Sequence, residues 1–154
     1  MKTAEKLCNI FSIMAGILAI LLLCFYWPSL PQIVPVHFNI FGEVDAYGNK
    51  IMVLLFCLLG CFIVFILSNI ERFPSRINYP FALTECNCHI QAEILHKFLI
   101  FFKLEIVYLF LYIEVNTMVI AFKWSYNLGP VLMYLLLALA VTTFIYLYKA
   151  YQNR

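Results

Sequence analysis

Charge is scarce in this chain. Of 154 residues, 10 are Lys or Arg and 8 are Asp or Glu, 12% in all, and the net charge is only +2. So small a surplus, with no basic run interleaved with aromatics, excludes a nucleic-acid partner. Phosphate-cradling glycine loops are missing, as are an H-E-x-x-H metal motif and a serine or cysteine beside an obvious base. The chain is therefore expected to be non-enzymatic and to use no cofactor and no metal. It also lacks internal repeats and low-complexity tracts, so residues 1–154 read as one domain.

What is abundant is apolar surface: 65% of the residues are hydrophobic. A soluble fold of this size would have to expose a large greasy patch, whereas a bilayer removes that difficulty. Four stretches reach the roughly 20 residues needed to span hydrocarbon as a helix. They cover about 7–27, 51–70, 104–122 and 130–148. Helices are the expected form, because backbone groups in lipid must be paired within the segment or in a closed barrel, and these runs lack the alternation of barrel strands. Lys2 and Lys6 before the first run resemble a signal peptide, but the run is long and no A-x-A site follows it. A retained helix is expected. The fold class is thus an all-α membrane protein, a bundle of four transmembrane helices.

Basic residues set the orientation. Lys2, Lys6, Arg72, Arg76, Lys97, Lys103, Lys149 and Arg154 fall at the termini or in segment 71–103, and only Lys50 and Lys123 fall in the other two loops. Both termini and the second loop are therefore expected in the cytoplasm. Trp27 and Trp124 then lie at the outer interface. Cys24, Cys57 and Cys61 sit within apolar runs, and none of the six cysteines falls in an outer loop, which argues against a disulfide framework.

Two polar segments remain. The outer loop, 28–50, has Pro28, Pro31 and Pro35 in an extended or turn-like first half, with Gly42, Gly48 and Asn49 supplying turns in the second. Its polar side chains are His37, Asn39, Glu43, Asp45 and Lys50, either an aromatic-lined pocket or groups that satisfy their own turns. In the inner segment, 71–103, Pro74 and Pro80 prevent a helix at the start. Thr84 is placed to cap one beginning near Glu85, which can run on into the third span.

The pattern P-x-H-F-N-x-x-G-x-x-D-x-x-G-x-K at 35–50 resembles the signature of a bacterial membrane domain of unassigned function, the N-terminal part of the SdpI-type immunity proteins. Tyr79-Pro80, then Thr84-Glu85 and Asn87, resemble the Y-P and T-E-x-N of the same domain. Cys86 and Cys88 depart from it, and SdpI-type proteins carry a further membrane region that this sequence lacks. The resemblance implies a four-helix module in the bacterial cytoplasmic membrane, and immunity to a secreted peptide toxin or signalling coupled to it. On that reading His37, Asn39, Gly42, Asp45, Gly48 and Lys50 form an outer site for a peptide or lipid ligand. The inner segment then contacts a cytoplasmic protein partner or anchors the bundle.

Two other constellations carry chemistry. Glu114, midway along the third span, is costly there and should face the bundle, with tyrosines, Thr142 or Thr143 as candidate partners and Asn116 and Thr117 beside it in sequence. It is either a packing residue or the relay of a small transporter or ion-coupled subunit, which would need a homo-oligomer. Glu105, nine residues away, turns to the opposite face and is expected to snorkel with Lys103 toward the headgroups. On one continuous helix Cys86, His89, Glu93 and His96 would share a face, but stretched over about 15 Å they suit solvent better than one ion.

Overall fold

The computed structural model describes residues 3–39, 41–73 and 78–154. Lys2, Pro74 and Arg76, which entered the reading of orientation and helix breaks, lie outside them. The elements run α1 (Thr3–Tyr26), β1 (Ile33–Phe38), β2 (Val44–Asn49), α2 (Ile51–Arg72), α3 (Cys88–Ala121) and α4 (Val131–Gln152). Among the described residues, α1, α2 and α4 are long and apolar enough to cross a membrane. α3 is longer, at 34 residues, and carries Lys97, Lys103, Glu105 and Glu114 along its length.

The helices are not arranged as four equal partners. α1, α2, α4 and β1 all pack on α3, and contact between α1 and α2 is slight. Phe56 of α2 stacks on Phe110 of α3 at 4.6 Å between centroids, and Tyr146 of α4 stacks on Phe98 at 4.3 Å. The apolar window of α4 has none of its residues buried inside the molecule. A buried cluster joins the hairpin ends of the helices to the foot of the 28–50 loop: Ala19 and Leu23 of α1, Leu30, Val34 of β1, Val53 and Cys57 of α2, and Met118 of α3.

The outer loop corrects the all-α expectation. It is an antiparallel hairpin with Ile33 opposite Asn49, Val34 opposite Gly48 and Phe38 opposite Val44. Alternating Val, Ile, Phe and Tyr suit a strand, and a two-stranded sheet leaves Pro35 a free edge where its missing N–H costs nothing. The register shifts on either side of His37, so the ladder is bulged there. α3 ends with Lys123 in the left-handed region at φ 62°; Trp124 N–H bonds Val119 C=O and Lys123 N–H bonds Ile120 C=O, a Schellman closure.

The polar side chains of α3 are matched by its neighbours. Lys103, expected to snorkel, is buried and donates to Glu71 of α2 at 2.5 Å, and Asn9 of α1 donates to the same carboxylate at 3.0 Å. Glu105, also expected to snorkel, accepts instead from Thr142 of α4 at 2.6 Å. Gln91 donates to the C=O groups of Ala150 and Asn153, closing the end of α4. Replacing one partner of a buried ion pair strands the other charge. Lys103→Met should destabilise the protein by about 3–5 kcal/mol, and Lys103→Met with Glu71→Leu should recover most of that. Thermal unfolding of the three proteins in detergent tests this.

Candidate functional site

The hairpin turn is built by Asn39. Its Oδ1 accepts from the N–H groups of Phe41 and Glu43, and its Nδ2 donates to Glu43 Oε2 at 2.9 Å. Asn39 is thus engaged by its own turn. Gly42 occupies the left-handed region at φ 77°, where a side chain would be strained. Its C=O accepts from Leu128 N–H at 2.8 Å, and Glu43 bridges Asn127, so the turn is fastened to the loop between α3 and α4.

The remaining residues of the outer motif divide into two groups. His37 Nδ1 donates to Asp45 Oδ1 at 2.6 Å, across the bulge and in the open. Lys50 is elsewhere. Its Nζ donates to Trp27 C=O at 3.1 Å and to Leu30 C=O at 3.5 Å, and lies 4.8 Å from the Trp27 ring centroid. It therefore ties the foot of the hairpin to the end of α1 and is not brought to Asp45. Gly48 does not supply a turn, as expected from sequence, but sits inside β2, where an added Cβ would lie 2.9 Å from Val36 Cγ1.

Under the hairpin lies a cavity of about 280 Å³. β1 roofs it through residues 35–38, Val53 and Phe56 of α2 and Ile113 of α3 wall it, and Leu132 of α4 closes one side. His37 is at its mouth, and Glu114 and Thr117 supply polar atoms to its lining. Glu114 is only 2% exposed, and its Oε1 has no hydrogen-bond partner. The Cys57 thiol of α2 lies beside the carboxyl group, and both line the same groove. The threonines expected from sequence as partners are engaged elsewhere, Thr142 with Glu105 and Thr143 with Leu139 C=O, and neighbouring Asn116 bonds Tyr112 C=O. Glu114 also borders a second groove, of about 250 Å³, running between α1, α2 and α3 past Ser12, Gly16 and Gly60. A single acid thus stands between the outer cavity and the interior of the helix packing.

The inner motif is a helix-start device. Asn87 Oδ1 accepts from Thr84 N–H at 2.7 Å while Thr84 Oγ1 accepts from Asn87 N–H at 3.2 Å, a reciprocal pair. Asn87 also donates to Ala82 C=O, and α3 begins at Cys88, three residues later than Glu85. Glu85 contributes its C=O to the Cys88 thiol at 3.5 Å. Tyr79 and Pro80 lead into this turn, and burial, with Cys88 beside it, raises the Tyr79 hydroxyl above its ordinary range. Cys86 precedes the helix, Glu93 pairs with Lys97 and His96 faces Glu5 of α1, so the ligand row imagined on one helix face does not form.

Sequence reasoning missed Cys57 as the neighbour of Glu114, the Lys103–Glu71–Asn9 network, and the part played by residues 127–128 in holding the hairpin. A cysteine in an apolar run carries no signal of its partner, and pairings between separate helices have no local spacing.

Residues 14–61 match the model of a family described as a domain of unknown function (DUF1648). The match takes in most of α1, the whole hairpin and the first half of α2, that is, the roof and one wall of the cavity. No curated protein and no solved structure matches the chain. The match and the three apolar helices fit a membrane protein with a domain of unassigned function.

Gly48→Ala should force Val36 out of place and loosen the cavity roof. A stability loss of about 1–3 kcal/mol is expected in unfolding experiments, with the backbone resonances of β1 shifted and those of α4 left in place.

Proposed function

We propose that this is a non-enzymatic, four-span protein of the bacterial cytoplasmic membrane, both termini inside, whose outer hairpin recognises an extracytoplasmic peptide or lipid. The observation that carries this reading is the roofed cavity. His37, with Asp45 bound to it, lines one edge of mostly apolar walls, and one buried carboxyl group, Glu114, lines the interior. Such a combination of apolar lining and few oriented polar groups is typical of small ligand sites. The resemblance of the 35–50 motif to SdpI-type immunity proteins suggests protection against a secreted membrane-active peptide, with the inner segment contacting a cytoplasmic protein.

The two charged residues of the motif separate the recognition role from the scaffold role. Asp45→Ala, with the amount in the membrane verified, should abolish protection of cells against such a peptide. Lys50→Ala should instead lower the amount of folded protein, because two carbonyls and the Trp27 ring lose their cation. Full protection by a fully expressed Asp45→Ala protein would reject the outer site.

The placement of Glu114 between two cavities favours a second reading, a small ion-coupled subunit, working as a homo-oligomer because four spans leave little room for a path. On that reading Glu114→Gln removes proton flux into liposomes while Asp45→Ala retains it. Equal flux from both variants would dismiss it.

A further inference from the structure

The floor of the outer cavity sets a chemical requirement on whatever enters it. Glu114 Oε1 is buried with no donor facing it. Val53, Phe56, Ile113 and Leu132 line the cavity with carbon, and its other polar side chains, Thr117 and His37, make no hydrogen bond to Glu114 Oε1. The ammonium groups of Lys50 and Lys103 are committed elsewhere, to the end of α1 and to Glu71. A carboxyl group so placed is best satisfied by a cation brought in with its own apolar stem, since a charge pair in low dielectric is strong when its geometry is good. His37 lines the cavity edge, and the Asp45 carboxylate bound to it puts an acid near that edge, which opposes a phosphate.

We infer that the cavity, on the recognition reading above, takes a primary alkylammonium group, namely the lysine side chain of an apolar extracytoplasmic peptide. The four methylenes of a lysine would lie along the Val53–Phe56–Leu132 walls, and its ammonium would reach Glu114 Oε1. A phospholipid amine carries the same cation but brings its phosphate to the Asp45 rim. A neutral alcohol of the same length gains the walls without the charge.

The test uses the full chain in nanodiscs of phosphatidylcholine, with ligand-observed NMR as readout. Pentylamine should bind at least tenfold more tightly than pentanol, and Glu114→Gln should erase that preference while pentanol binding persists. A lysine-containing apolar peptide should displace pentylamine, and its norleucine counterpart should not. Equal binding of pentylamine and pentanol to the native protein overturns the ammonium assignment and leaves the cavity reading standing. Binding of neither overturns both. Displacement by phosphatidylethanolamine and not by the lysine peptide overturns the peptide as source. If Glu114→Gln fails to fold, Leu132→Trp fills the cavity from α4 without touching the carboxyl group. It should then abolish binding of both small probes, and unchanged amine binding in that variant overturns the proposal.

Discussion

The structure hangs on α3, and α3 hangs on finding partners for the polar side chains it carries among apolar neighbours. Gln91 closes the end of α4, Lys103 meets Glu71, which also takes Asn9, Glu105 meets Thr142, and Glu114 shares a groove with Cys57. Between them these ties reach all three neighbouring helices, α4 through Gln91 and Glu105, α2 through Lys103 and α1 through Asn9 on the same carboxylate, so satisfying the polar groups of one helix places α1, α2 and α4 around it. Greasy side chains alone would not do this, because in lipid one apolar face is as good as another and association rests on packing and on hydrogen bonds between helices. The scarcity of charge in the chain thus gives each remaining charge a positional role.

The outer hairpin is placed by the same logic at its two ends. Lys50 fastens its foot to the last carbonyls of α1, and Gly42 with Glu43 fastens its tip to the loop after α3. Held at both ends, β1 becomes a lid over the space between α2, α3 and α4. α4, which packs on α3 with no residue of its apolar window fully buried, contributes only Leu132 near that space. The cavity is therefore a consequence of a three-around-one helix arrangement roofed by a fixed hairpin. Glu114 is its floor because it lies on the stretch of α3 that faces both α2 and the hairpin.

The motif residues acquire distinct meanings in this setting. Asn39, Gly42, Gly48 and Lys50 shape and anchor the hairpin, while His37 lines the cavity edge and holds the exposed Asp45. Thr84 and Asn87 start α3 and so fix where along that helix Lys103 and Glu114 fall. A signature that looks like one binding site on paper is, in space, mostly a set of positioning devices around a smaller polar pair.

Length and hydropathy alone determined that the chain has apolar helices of membrane-crossing length, because 20-odd uncharged residues have no other low-cost solvent. They also marked Glu114 as an acid that must face protein, since a charge facing lipid costs several kcal/mol. Tertiary structure alone decided that the outer loop is a bulged hairpin, that Lys50 and Asp45 point to different tasks, that Lys103 is buried against Glu71 while Glu105 turns to Thr142, and that Cys57 faces Glu114. These are pairings between segments far apart in the chain. Their partners are set by how helices pack in three dimensions, and no local periodicity or spacing encodes that choice.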